Sequence, residues 1–143
     1  MGQFDRVITS SVPRALETAI AMGYAVDEQL EQLGMMSDAV NAEIQWNAGF
    51  TAWLKAAQNN SVVAQYTRAM ADVLRSIVRT LPDGGRALIV THGGIVEASA
   101  VGCVPAHTRF ADDAACGYCE GVRLIFAGET VINFEMLRVE QPR

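Results

Sequence analysis

The side chains in this sequence equipped for chemistry are two histidines, a paired-glycine turn, an arginine in an unusual place and three cysteines. His92 stands in Thr91-His92-Gly93-Gly94, directly after the apolar run Ala87-Leu88-Ile89-Val90. Such a run reads as a strand buried on both faces, as in a parallel sheet. Pro82-Asp83-Gly84-Gly85 is the turn before it, and Ile95 to Val101 reads as a helix after it. An imidazole is thereby placed where a buried strand stops and a helix begins, which is where open α/β sheets bind ligands. Glycines there let the backbone approach a ligand closely, and free N–H groups at a helix start favour an anion. The plainer reading is a tight turn carrying a partly exposed histidine.

Arg14 follows Ser10-Ser11-Val12-Pro13. Ser11 is the expected N-cap of a helix, with Pro13 in the first turn, where its missing N–H costs nothing. Arg14 then falls where a capping box would place Glu, and a cation there opposes the helix dipole. A bound anion would compensate; the plainer alternative is a surface arginine paired with Glu17 or snorkelling into water. The remaining cluster is Cys103, His107, Cys116 and Cys119, four potential zinc ligands with Cys116-Gly117-Tyr118-Cys119 as one knuckle. Structural zinc sites usually use two such close-spaced pairs and only one is present, so small buried cysteines at element ends are the competing reading.

The elements that must position these groups follow from periodicity and turn residues. Phe4 to Thr9 reads as a strand, and the helix after it carries Leu16, Ala19 and Ile20 on one face and stops at Gly23. Ala25-Val26 reads as a short strand. Residues 35–60 read as two short helices broken near Asn47-Ala48-Gly49, or as a flap, with Trp46, Phe50 and Trp53 at core-like helical spacing. Ser61 is the N-cap of a long helix whose apolar positions run Val62, Val63, Tyr66, Met70, Val73, Leu74, Ile77, Val78 and Leu81 before Pro82. Residues 104–117 read as a loop. Tyr118–Phe126 and Thr130–Val139 read as two strands joined by Ala127-Gly128-Glu129.

The 143 residues suffice for one domain spanning 1–143, half hydrophobic and 19% charged, and therefore globular. A net charge of −5 argues against a nucleic-acid or membrane-surface partner, which needs a basic face, but leaves room for a small anion in a local basic pocket. There is no apolar run long enough to span a membrane and no secretory signal. Three cysteines, an odd number, then fit a reducing, cytoplasmic compartment without a disulfide framework.

Two segments together resemble the histidine phosphatase superfamily, the phosphoglycerate-mutase-like fold. Phe4 to Ala19, FDRVITSSVPRALETA, is similar to the family's strand, Ser, and Arg-Ala-x-x-Thr-Ala helix opening. Ala87 to Gly94, ALIVTHGG, is similar to its apolar strand ending in Thr/Ser-His-Gly-Gly. The resemblance implies an α/β three-layer sandwich with a mostly parallel sheet and a C-terminal antiparallel hairpin. It implies a phosphomonoesterase or phosphomutase acting on a small phosphorylated substrate, with no cofactor. Arg14 would be a phosphate-pocket arginine, His92 the second histidine contacting the phosphoryl group, and the Gly93 amide a further donor. Phosphoryl transfer uses such fixed donors around the equatorial oxygens.

The sequence departs from the family pattern at its start. The family nucleophile lies in an Arg-His-Gly motif ending the first, central strand, and no Arg-His-Gly occurs here; His107 follows the second motif. The resemblance thus implies an N-terminally shortened domain, missing its central strand and inactive as this chain. For the general acid, Leu30-Glu31-Gln32 makes Glu31 the candidate, with Glu28 and Glu43 as alternatives. A different class is a non-catalytic phosphate-binding or interaction module, whose exposed sheet edge offers a template to a partner or second copy.

Overall fold

The computed structural model describes residues 3–45, 47–59 and 61–139. Its sheet is built around β1 (Arg6–Ser10), whose last four residues are all buried. Two parallel neighbours flank it, β2 (Glu28–Leu30) and β3 (Ala87–Val90), with Ile8 opposite both Glu28 and Ile89. Because all three strands run the same way, Ser10, Leu30 and Val90 end at one edge of the sheet.

Helix α1 (Pro13–Ala21) returns from that edge and packs on β1 and β3, with Ala15 and Ala19 buried beneath it. Small residues permit this close packing. On the other face, Ile8, Ala87 and Ile89 meet Met70 and Ile77 of α4 (Val62–Arg79) and Ile95 of α5 (Ile95–Cys103). Alternation along the strands sends successive side chains to opposite faces, which makes the assembly a three-layer α/β/α arrangement. The helix over 62–79 begins as its sequence requires: Ser61 Oγ accepts from the Ala64 N–H at 3.3 Å. Helix α5 crosses α4 so closely that a Cβ on Gly102 would lie 2.1 Å from the Thr67 carbonyl oxygen.

Between β2 and α4 lie a 3-10 turn (Glu31–Gly34), α2 (Asp38–Glu43) and α3 (Phe50–Ala57), so the expected pair of short helices forms. Phe50 and Trp53 are core residues, while Trp46 lies outside the described residues. The antiparallel hairpin β4 (Gly121–Ala127) and β5 (Thr130–Leu137) turns at Gly128, whose φ is +63°. It packs Val122, Leu124, Phe134 and Met136 against the cluster of Phe50, Trp53 and Val101. Phe110 bridges Phe50 and Phe134, with ring centroids 5.2 and 5.3 Å apart.

Three expectations are corrected. The strand expected at Ala25-Val26 forms instead over Glu28–Leu30. Asp27 exchanges hydrogen bonds with Val7, its N–H to the Val7 carbonyl and its carboxylate to the Val7 N–H, both near 2.8 Å or shorter, and so leads the chain onto β1. That strand is placed by backbone pairing and not by apolar content. Ser11 does not cap α1: Val12 holds the N-cap position without a side-chain bond, and Arg14 is the second helical residue. Finally, β3 is half-buried along its whole length. Among the described residues it pairs only with β1, and the hairpin forms a sheet of its own. Ala87 and Ile89 join the core, whereas Leu88 and Val90 belong to no core cluster. An apolar strand reads as covered on both faces, but coverage depends on neighbours that its own residues do not specify.

Candidate functional site

The parallel register places Thr9 opposite Val90, so the residues just beyond, Ser10 and His92, meet at the strand ends. Ser10 Oγ lies 2.7 Å from His92 Nε2 and also accepts the Val12 N–H at 3.2 Å. The ring is half-buried. Burial, and secondly the positive charge of Arg14, lowers the His92 pKa below its ordinary value, so the imidazole is neutral near pH 7. Arg14 stands on the first turn of α1, which begins three residues after β1 ends at that same edge. Arg14 itself is exposed. No ion pair joins it to Glu17 among the described residues, so of the two plainer readings the exposed arginine reaching into water is the one that remains.

Behind His92, Gly93 is exposed, and a Cβ there would meet nothing nearer than the Cys116 carbonyl oxygen at 3.7 Å. Its N–H has no protein partner among the described residues. Gly94 differs: its φ of +84° is glycine territory, and it is the N-cap of α5. Its N–H donates to Glu97 at 2.5 Å, and the other Glu97 oxygen accepts the Cys116 N–H at 2.8 Å. Glu97, 1% exposed, thus locks the turn after His92 to the loop covering it. That loop is held in turn by Arg138, which donates to Asp112, Glu120 and the carbonyls of Ala114 and Ala115. The Arg138 guanidinium, through hydrogen bonds and charge, pulls the Asp112 pKa down. At Glu120 the N–H groups of Gly117 and Val139 lower the pKa first, and Arg138 adds to the effect.

Glu31, the candidate acid, opens the 3-10 turn one residue beyond β2, exposed, at the same edge of the sheet. The turn is tied to the site, since Thr91 Oγ1 donates to the Leu33 carbonyl and Gly34 packs against Ser10 and Val12. No hydrogen bond or ion pair joins Glu31 itself to His92 or Arg14. The two alternatives are engaged elsewhere: Glu28 pairs with Arg6 at the start of β1, and Glu43 accepts the Val63 N–H opening α4.

The cysteine cluster is not brought together. Cys103 packs with Ala71, Leu74 and Val131, while Cys116 packs against the separate Phe50 and Trp53 cluster. Among the described residues no three His, Cys, Asp or Glu side chains could hold a metal ion. Burial first, and for Cys116 the neighbouring Glu97 carboxylate as well, pushes the thiols up to about 11 at Cys103 and about 12 at Cys116. These are packing thiols rather than thiolate ligands. Two residues of the site escaped the sequence reading. Glu97 stands three residues after Gly94, the spacing of a capping box, and that signal was available. Ser10 had no comparable signal, because its partner is 82 positions away.

The ends of β1 and β3 thus carry Ser10, the half-buried His92 ring and the exposed Gly93, whose N–H has no partner among the described residues. The histidine phosphatase superfamily (branch 1) matches residues 2–133, and the chain belongs to that superfamily. No curated protein and no solved structure matches the chain. No helix among the described residues is long and apolar enough to cross a membrane.

Proposed function

We propose that this domain binds the phosphoryl group of a small phosphate ester, or phosphate itself, at the edge where β1 and β3 end. Arg14 supplies the charge, His92 a ring donor, and Gly93 its N–H, while Glu31, on a turn tied to that edge, is the candidate acid. The observation that supports this reading is the hydrogen bond between Ser10 and His92 at the strand ends, from which the helix bearing Arg14 departs. Phosphomonoesterase or mutase chemistry in two covalent steps needs a nucleophile beyond these groups. The 143 residues offer only His107 as a second histidine, exposed in the loop after α5 and packed into none of the core clusters. These groups by themselves bind a phosphoryl group without turning it over. A second reading, an interaction module, draws on the edge of β3 left unpaired among the described residues, with half-exposed Leu88 and Val90, a template for strand addition.

The test is a titration of the protein with inorganic phosphate and with orthovanadate, followed through the His92 ring and Gly93 amide resonances. Saturable shifts, lost in Arg14→Ala with the fold intact, are expected. Silence of both resonances at millimolar ligand overturns the binding reading. Rapid hydrolysis of p-nitrophenyl phosphate, abolished by His92→Ala, overturns the statement that this chain does not turn over.

A further inference from the structure

Ser10 is fully buried at the end of β1, and its hydroxyl has two neighbours. The Val12 N–H donates to Oγ at 3.2 Å, which uses one lone pair. His92 Nε2 lies at 2.7 Å on the other side. No other acceptor for the hydroxyl proton exists among the described residues. A hydroxyl carries one proton and two lone pairs. If Nε2 carried a hydrogen, Oγ would have to accept from both neighbours and its own proton would be left without a partner in a site closed to water. Only one arrangement leaves no buried group unpaired: Oγ–H donates to a bare Nε2. The ring proton then resides on Nδ1.

We infer that Ser10 is a positioning residue for His92, holding the imidazole in its neutral, Nδ1-protonated tautomer and leaving Nδ1–H as the nitrogen free for a ligand. The bond a ring makes at one nitrogen decides what the other offers. The charged groups around the ring act in the same direction or stand aside. Arg14 on α1 opposes protonation. Glu97 on α5 has both oxygens committed to the N–H groups of Gly94 and Cys116, and the Cys116 thiol of the covering loop stays protonated. His92 thus offers one directed hydrogen bond, and Arg14 alone brings positive charge. This role in ligand binding rests on the phosphate reading above; the tautomer does not.

The test uses the full chain labelled with 15N and long-range proton–nitrogen correlations of the histidine rings. His92→Gln removes one set of signals and so assigns the other. In ligand-free protein above neutral pH, Nε2 of His92 is expected to be pyridine-like and Nδ1 to carry the proton. A ring protonated at Nε2 in its neutral form overturns the inference, with no variant needed. Ser10→Ala is expected to raise the His92 titration midpoint towards the ordinary value of about 6.5 and to shift the ring towards the Nε2-protonated form. An unchanged tautomer and midpoint in a folded Ser10→Ala protein also overturns it. The two readings fail separately. Phosphate binding to an Nε2-protonated ring sinks the Ser10 role alone. An Nδ1-protonated ring that ignores phosphate sinks the binding reading alone.

Discussion

Replacing Glu97 tests the framework that holds the site. Its carboxylate is nearly inaccessible and accepts two backbone N–H groups, from Gly94 at 2.5 Å and from Cys116 at 2.8 Å. Hydrogen bonds to a charged partner contribute about 1.5–3 kcal/mol each. Removing the carboxylate also relieves the cost of keeping a charge out of water, which offsets part of that sum. The net expected loss in Glu97→Ala is about 3 kcal/mol, with two N–H groups left unpaired. Glu97→Gln keeps one acceptor oxygen but turns an NH2 towards the second donor, so its expected loss is about 1–2 kcal/mol. With a urea slope of about 2 kcal/mol per molar, the Ala variant should unfold about 1.5 M earlier. Urea unfolding followed by circular dichroism gives the energy, and amide hydrogen exchange gives the location. Protection should fall at both Gly94 and Cys116 in Glu97→Ala and at one of the two in Glu97→Gln. A loss under about 0.5 kcal/mol, the level of an ordinary surface substitution, would refute the reasoning, as would unchanged exchange at those two amides.

Two further outcomes follow from the same turn and from the thiols. Gly94→Ala should destabilise by about 1–3 kcal/mol, because its φ of +84° excludes an ordinary side chain and Met36 Cε lies 3.1 Å from where Cβ would go. Gly93→Ala should change stability by less than about 1 kcal/mol, having only an ordinary contact at 3.7 Å and no positive φ, yet weaken the proposed phosphate binding by crowding its N–H. Equal stability losses in the two variants, read by urea unfolding, would count against this distinction. Under iodoacetamide at pH 8, exposed Cys119 should be modified first, while Cys103 and Cys116 react slowly because burial keeps them protonated. Mass spectrometry of tryptic peptides reads the order, and early labelling of Cys103 would contradict it.

What could be read from the linear chain was local in origin. Ser61 and the apolar spacing from Val63 to Ile77 define α4, because a cap and a 3.6-residue period are encoded within a few turns of chain. Ala87-Leu88-Ile89-Val90 followed by His92 and paired glycines gave a strand, a turn and a helix in that order, and the structure has them. The family resemblance of that stretch and of the Arg14 segment agrees with the superfamily match over residues 2–133. Propensity misled at β2, where Glu28 and Gln29 extend because β1 offers them backbone partners.

Tertiary structure decided everything that depends on two distant segments meeting. The register of β1 on β3 brings Ser10 to His92, and it is a backbone pairing driven by burial of Val7 and Ile8, not a property of either segment alone. Glu97 announces itself as a helix cap by spacing, but its second partner, Cys116, is known only once the loop has folded over α5. The separation of Cys103 and Cys116 into different core clusters, and the half-covered face of β3, are likewise matters of what packs beside each residue. Local sequence sets the backbone conformations open to each segment at small energetic cost. Which segments become neighbours is settled by the summed burial and hydrogen bonding of the whole chain, and that sum is written in no single stretch of it.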